Sequence, residues 1–329
     1  MKAAVLKGNC HITIDEIPEP VINKPGEIKI RVIYGAICNA TDNRLYATDT
    51  PEKSWPFLKT PFVLGHECVG RIVEKGEAVR DFGIGDRVVY WTVDCGAFAD
   101  YLIIDTEQAA VVKLDDSVPN DTAAIMEMVI GACRLLYQPD GTALIKPCDK
   151  VAVFGLGPAG LIYTRLAKMM DAGSICGVGR RKFRLEKVLQ VGADFAADTN
   201  EPDYRERIIT GLGKKPDVII DATGGDIISD IIGLGTKETR IIPYGTAPFD
   251  WNEKRELLLS SGITPPDFTG VDSARVAAKK CAEWAKSGKL GVDKVISHKL
   301  PLDRVGRGLD MCRLERDTTS KVIIVINEE

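Results

Sequence analysis

Histidine is scarce in this chain of 329 residues, with three copies at positions 11, 66 and 298. Long apolar runs are missing too, since none approaches the ~20 residues a membrane-spanning helix needs. The opening stretch "MKAAVLKGNCHITIDEIPEP" turns polar too soon for a secretory signal, so none is expected. The nine cysteines are dispersed, with no CxxC pair, which points to reduced thiols and a cytoplasmic protein. Strong charge of one sign is also lacking. A formal net charge of -4 argues against a nucleic-acid partner while leaving room for a local basic pocket, and neither nucleic acid nor membrane is an expected partner. Internal repeats and low-complexity tracts are absent. The hydrophobic share of 45% and charged share of 27% belong to an ordinary globular chain, whose length suggests about two domains.

The pattern changes near residue 150. Before it, "EIKIRVIYGAI", "ECVGRIVEKG", "DRVVYW" and "FADYLII" read as short strands of an all-β unit with irregular loops. After it, strands and helices alternate: "KVAVFGLG", "PAGLIYTRLAKMM", "SICGVG", "RRKFRLEKVLQVG", "DVIIDATG" and "TRIIPYG". That alternation predicts a doubly wound parallel sheet. Beyond about residue 266, a helix over "SARVAAKKCAEWAKSG" leads to the apolar tail "SKVIIVINEE", expected to dock into the first domain's sheet. The first domain is therefore expected to be discontinuous, residues 1–132 with 267–329, around a nucleotide domain at 133–266.

"VAVFGLGPAG" places Gly155, Gly157 and Gly160 in G-x-G-x-x-G spacing between a strand and a helix, with Leu156, Pro158 and Ala159 in the same loop. In that context the glycines serve a tight turn, a close pyrophosphate approach and a helix–strand contact. Ala222 and Gly245 are further expected cofactor contacts. An NAD site carries an acid about 20 residues on. Gly179 stands there instead, followed by Arg180, Arg181 and Lys182. Losing the carboxylate and gaining two guanidiniums favours a 2′-phosphate, and hence NADP(H).

"PFVLGHECVG" (61–70) sets His66, Glu67 and Cys68 side by side. Cys38, Thr41 and Asp42 lie upstream in "GAICNATDNRLY", and Glu127 sits in the otherwise apolar "AAIMEMVIGACRLLY". A carboxylate there is costly to bury unless it is paired or ligates a metal. Each residue also has a plain structural use, but together they suit a zinc that keeps one position open for a substrate oxygen.

These residues carry a resemblance that covers nearly the whole chain. "GAICNATD", "PFVLGHECVGRIVEKGEAV", "GIGDRVV", "GAFADYLII", "VAVFGLGPAGL" and "VGAD" resemble the zinc-containing medium-chain alcohol/polyol dehydrogenases. The resemblance implies an α/β protein, in which a GroES-like β-rich catalytic domain accompanies a doubly wound parallel-sheet Rossmann domain. It implies a catalytic zinc on Cys38 and His66, with Glu67 and Glu127 as direct or exchanging ligands. Thr41 matches the hydroxyl that accepts the alcohol's proton, and the family is usually dimeric or tetrameric.

Three departures stand out. Three residues, not two, separate Cys38 from Asp42, so the loop must bulge to keep Thr41 at the metal. Only Cys95 lies where the family's optional structural zinc takes four cysteines, so one zinc per chain is the expected limit. Asn43 and Arg44 stand where a relay histidine is common. The expected activity is hydride transfer between NADP(H) and a secondary alcohol, polyol or sugar derivative. A zinc-free NADPH-dependent enone or quinone reductase is the alternative, and a non-catalytic nucleotide-sensing protein the rival from another class. Arg44, Tyr46, Trp55, Trp91 and Arg134 are candidate pocket residues.

Overall fold

The structure is a computed structural model that describes residues 1–49, 62–92, 96–138, 140–223, 227–245, 256, 259–260 and 271–328. In chain order the elements begin β1 (Lys2–Gly8), β2 (His11–Glu16), β3 (Glu27–Ala36), α1 (Thr41–Tyr46) and β4 (Glu67–Lys75). They continue β5 (Arg87–Trp91), β6 (Tyr101–Asp105), β7 (Ala110–Lys113), α2 (Asn120–Ala124) and α3 (Met126–Arg134). Next come β8 (Lys150–Phe154), α4 (Pro158–Met169), β9 (Ser174–Gly179), α5 (Lys182–Val191) and β10 (Phe195–Asp198). Then follow α6 (Tyr204–Leu212), β11 (Val218–Asp221), α7 (Ile228–Leu234) and β12 (Arg240–Pro243). The last are α8 (Val271–Lys286), β13 (Ile296–Pro301), α9 (Val305–Leu314) and β14 (Lys321–Val325).

These elements form two compact units. The first comprises Met1–Gly131, Val271–Lys289 and Ile296–Glu329, and the second Ala132–Gly270 with Leu290–Val295. Among the described residues, no helix is long and apolar enough to cross a membrane.

In the first unit a seven-stranded sheet runs β13-β14-β3-β4-β5-β7, with β6 also pairing β3. Its central strand β3, "EIKIRVIYGA", is buried along almost its whole length, as a strand covered on both faces must be. The tail strand β14 lies between β13 and β3, where its apolar sequence needs cover. The β3–β4 register sets Ala36 opposite Glu67. The chain that leaves β3 toward Cys38 therefore runs beside the start of β4, where His66 and Glu67 sit.

In the second unit five parallel strands are ordered β10-β9-β8-β11-β12. Strands β8, β9 and β11 are short apolar runs, and Phe154, Val178, Ile219 and Leu212 share one core. The strand order reverses on either side of β8, and ligands of such sheets bind beyond the carboxyl ends of the strands at that point.

Candidate active site

Asp42 is fully buried and organises the turn between β3 and α1. Its Oδ2 accepts the Cys38 amide at 2.8 Å, and its Oδ1 accepts the Gly65 amide at 3.2 Å. Oδ1 also lies 3.6 Å from His66 Nδ1. One carboxylate thus fixes both the Cys38 and the His66 segments. The Thr41 amide donates to Cys38 Sγ at 3.4 Å, so the first residue of α1 sits directly against the sulfur. These bonds absorb the extra residue of this loop.

Cys38, His66 and Glu67 each offer one donor atom, and the three atoms lie within 4.8 Å of one another. Glu67 is 1% exposed. Its Oε1 accepts from Lys321 Nζ at 2.5 Å, while Oε2 has no hydrogen-bond partner among the described residues. A buried carboxylate oxygen left unsatisfied next to a sulfur and an imidazole nitrogen is a donor set that fits zinc. Glu127 stands outside this triplet but is buried close by, where its charge feels His66, Glu67, Lys321 and Asp42. The structure therefore gathers three of the four expected ligands and keeps the fourth beside them.

Cys68 is not part of the group. Successive side chains of a strand face opposite ways, and Cys68 points into the core, bonded to the Tyr90 hydroxyl at 3.3 Å. Burial pushes its thiol up to about 12, which leaves it inert.

Burial also raises the Glu67 carboxyl, against the pull of Lys321 and His66. For Glu127, burial is again the largest cause and lifts the carboxyl to about 8, with His66 opposing and Glu67 adding to the rise. A carboxyl raised in the folded state holds its proton more tightly there than in the unfolded chain. Its stabilising contribution is complete below pH ~4.5 and is lost as pH rises through about 8. The metal-stripped protein should therefore melt at progressively lower temperature between pH 5 and 8, and Glu127→Gln should make that decline shallower. Melting curves of the two proteins across this range check it, and parallel slopes would contradict the assignment.

The second cluster of interest is the glycine loop between β8 and α4. Gly155 has φ +87°, and a side chain there would come within 2.8 Å of the Ala222 and Thr223 backbone. At Gly160 a Cβ would lie 1.9 Å from the Gly155 carbonyl oxygen. At Gly157 a Cβ would meet only Arg184 Nη1, at 3.5 Å, so the protein leaves room above this residue. Pro158 opens α4 at a position where its missing N–H costs nothing. Ala222 and Gly245 follow the carboxyl ends of β11 and β12, on the same sheet edge, and their amides bond Phe154 O and Asp221 O. Gly179 ends β9, and a Cβ there would lie 3.0 Å from Leu156. Arg180 is exposed and Arg181 precedes the first residue of α5.

Arg184 and Lys321 were not among the expected site residues. Arg184 is 8% exposed and donates to the Leu156 carbonyl at 3.0 Å, bracing the loop from beneath. Among the candidate pocket residues, Tyr46 is a correction. It is 3% exposed, packs in the core and donates to the Cys10 carbonyl at 3.0 Å, because its position in α1 turns it inward. Arg44 is exposed on α1, and the Trp91 indole packs against Gly131. Arg134 acts electrostatically on buried Tyr163 within the second unit. Trp55 and Cys95 lie outside the described residues.

A sulfur, nitrogen and carboxylate cluster in a β-rich unit, with a glycine loop at the switch point of a parallel sheet, is the plan of a zinc-type dehydrogenase. Residues 24–116 match the family described as "Alcohol dehydrogenase GroES-like domain", and residues 158–265 match "Zinc-binding dehydrogenase". A sorbitol dehydrogenase of Halalkalibacterium halodurans is 32% identical over 256 residues, covering 68% of this chain and 70% of that protein. A sorbitol dehydrogenase of Bombyx mori is 27% identical over 94% of this chain and 95% of its own length. The fold of an alcohol dehydrogenase from Thermus sp. ATN1 superposes with a TM-score of 0.83 at 23% identity, over 99% of this chain and 100% of that one. The chain belongs to the zinc-type medium-chain alcohol dehydrogenase family, with a GroES-like domain and a Rossmann-type parallel sheet. It is an oxidoreductase of the alcohol/polyol dehydrogenase type.

Proposed function

We propose that the protein is an NADP(H)-dependent zinc dehydrogenase of a secondary alcohol, polyol or sugar derivative, with one catalytic zinc per chain. The first unit is read as the catalytic domain, and the second as the NADP(H)-binding domain. The observation that carries this is the Cys38–His66–Glu67 donor triplet with its unsatisfied Glu67 Oε2. Bound there, zinc would supply Lewis acidity toward the substrate oxygen, and the nicotinamide would supply hydride chemistry. Cys38, His66 and Glu67 would hold the metal, Asp42 orients His66, and Glu127 would stand by as an exchanging ligand. The Thr41 hydroxyl would take up the substrate proton while handing its own on to water or the cofactor ribose, since Asn43 and Arg44 supply no relay imidazole. The polyol reading draws support from the sorbitol dehydrogenases among the relatives.

The deciding experiment is a panel of alcohols, polyols and sugar phosphates assayed with NADP+ and NAD+, alongside metal analysis. Turnover without zinc after metal-replete expression would favour the enone or quinone reductase instead.

Thr41→Val should reduce turnover by about two to four orders of magnitude, the usual contribution of a positioned proton-transfer group. Zinc content should not change, because the Thr41 contact to the cluster seen here is made by its backbone amide. A near-normal rate would mean that water or another group takes the proton.

Cofactor choice rests on Arg180 and Arg181 at the end of β9, where an acid is missing. Replacing both with Ser should lower the kcat/KM ratio of NADP+ over NAD+ by about one to two orders of magnitude per lost contact. Adding Gly179→Asp should strengthen the switch, at some cost from the crowded Leu156 side chain. An unchanged ratio in the double arginine variant would show that these residues only solvate a helix end.

A further inference from the structure

Lys321 heads β14 and is completely buried, an expensive place for an ammonium group. Its Nζ donates to two acceptors: Glu67 Oε1 at 2.5 Å and the Ile37 carbonyl at 2.8 Å. The first belongs to a member of the donor triplet, and the second lies one residue before Cys38. The neighbouring backbone reinforces the link. The Ile37 amide bonds Val322 O at 2.9 Å, and the Asn39 side-chain amide bonds Ser320 O at 3.0 Å. The start of β14 thus clamps the Cys38 segment on both sides of the cysteine, while its lysine occupies one oxygen of Glu67.

We propose that Lys321 is a positioning residue that restricts Glu67 to a single oxygen, Oε2, toward the metal, and so holds the centre at low coordination number. The proposal rests on the zinc reading above and deepens it. A free carboxylate can bind a cation through both oxygens, a mode that suits larger, oxygen-preferring ions with six or more ligands. A charge-assisted bond from an ammonium takes Oε1 out of that role, and the remaining sulfur, nitrogen and single oxygen are the three ligands of an open four-coordinate zinc site. Removing the lysine leaves both carboxylate oxygens available and loosens the segment that carries Cys38.

The test uses the full chain as wild type, Lys321→Met and Lys321→Arg. Zinc affinity is measured by chelator competition, and Co2+ is substituted at the site to read coordination number from its visible absorption. Wild type should give the intense bands of four-coordinate Co2+. Lys321→Met should bind zinc about 10–100-fold more weakly, the usual effect of losing a group that orients a metal ligand. Its Co2+ bands should fade as the coordination number rises. Lys321→Arg should recover most of the affinity and the band intensity, which a role limited to packing does not predict.

Should Lys321→Met fail to fold, wild type and Lys321→Arg decide the matter. Weak six-coordinate bands in wild type would overturn the proposal, and so would Lys321→Arg bands unlike those of a four-coordinate wild type. A folded Lys321→Met with wild-type affinity and unchanged bands would also overturn it, leaving the zinc centre itself intact. A Cys38→Ser variant that binds zinc as wild type does would instead refute the metal centre on which the proposal depends.

Discussion

Replacing His66 with alanine is expected to abolish alcohol oxidation and leave dinucleotide binding nearly intact. His66 brings the only imidazole of the triplet, and His11 and His298 belong to other strands. Its loss leaves a sulfur and a carboxylate oxygen, too few ligands for a zinc that must also keep a position for substrate. Glu67 would then be a buried carboxylate with Lys321 as its principal compensation, so some loss of stability should accompany the loss of metal. The glycine loop belongs to the separate second unit, and its affinity for cofactor should hardly change. Zinc content, turnover and cofactor titration on one preparation are sufficient to check this. A variant that retained most of its turnover would make His66 a core residue and remove the basis for the site.

Gly160→Val should produce the opposite dissociation. A Cβ at this position would fall 1.9 Å from the Gly155 carbonyl oxygen, far inside contact distance, and the obstacle is backbone rather than a side chain that can rotate away. Either α4 is pushed off β8 or the turn at Gly155 opens. Overpacking a core costs about 1–3 kcal/mol, and a backbone clash of this kind belongs at or above the upper end. The amides of the loop and the start of α4 would no longer converge on a phosphate, so cofactor affinity should be lost. Zinc should remain bound at Cys38, His66 and Glu67, which lie in the first unit. Retained cofactor affinity in a folded Gly160→Val protein would contradict this account.

The parallel sheet was legible because its strands are short apolar runs closed by glycine or aspartate, with helices of regular period between them. "KVAVFGLG" and "SICGVG" became β8 and β9 with little adjustment. Helices α1 and α2 were not foreseen, since six and five residues are too few to display a period. Residues whose own side chains offer donor atoms, such as Cys38 and His66, stood out by type and context. Those that act through another residue did not. Lys321 reads as the polar start of an apolar strand expected to dock into the sheet, and nothing nearby in sequence reveals that its ammonium meets Glu67 across 254 residues of chain. Arg184 likewise reads as one more cation on a solvated helix, until its bond to the Leu156 carbonyl is seen. Tyr46 misled in the other direction, because an aromatic residue near a metal-ligand loop is as useful to a core as to a pocket.

The place of β14 has a consequence for the order in which the protein can be made. Lys321 closes a contact to Ile37 that spans 284 residues, and β14 pairs with β3 from the opposite end of the chain. In equilibrium terms so long a loop is inexpensive, since each doubling of length adds only about 0.6 kcal/mol. In time it is decisive. Synthesis runs from the N-terminus, so β3, Cys38, His66 and Glu67 all emerge long before the lysine that organises them. The almost contiguous second unit has its own strands together much earlier. Until β14 arrives, the Tyr34–Ala36 edge of β3, just before Cys38, is an unpaired template open to wrong partners. The Cys38–His66–Glu67 cluster is thus completed only after the strands of the second unit have been made.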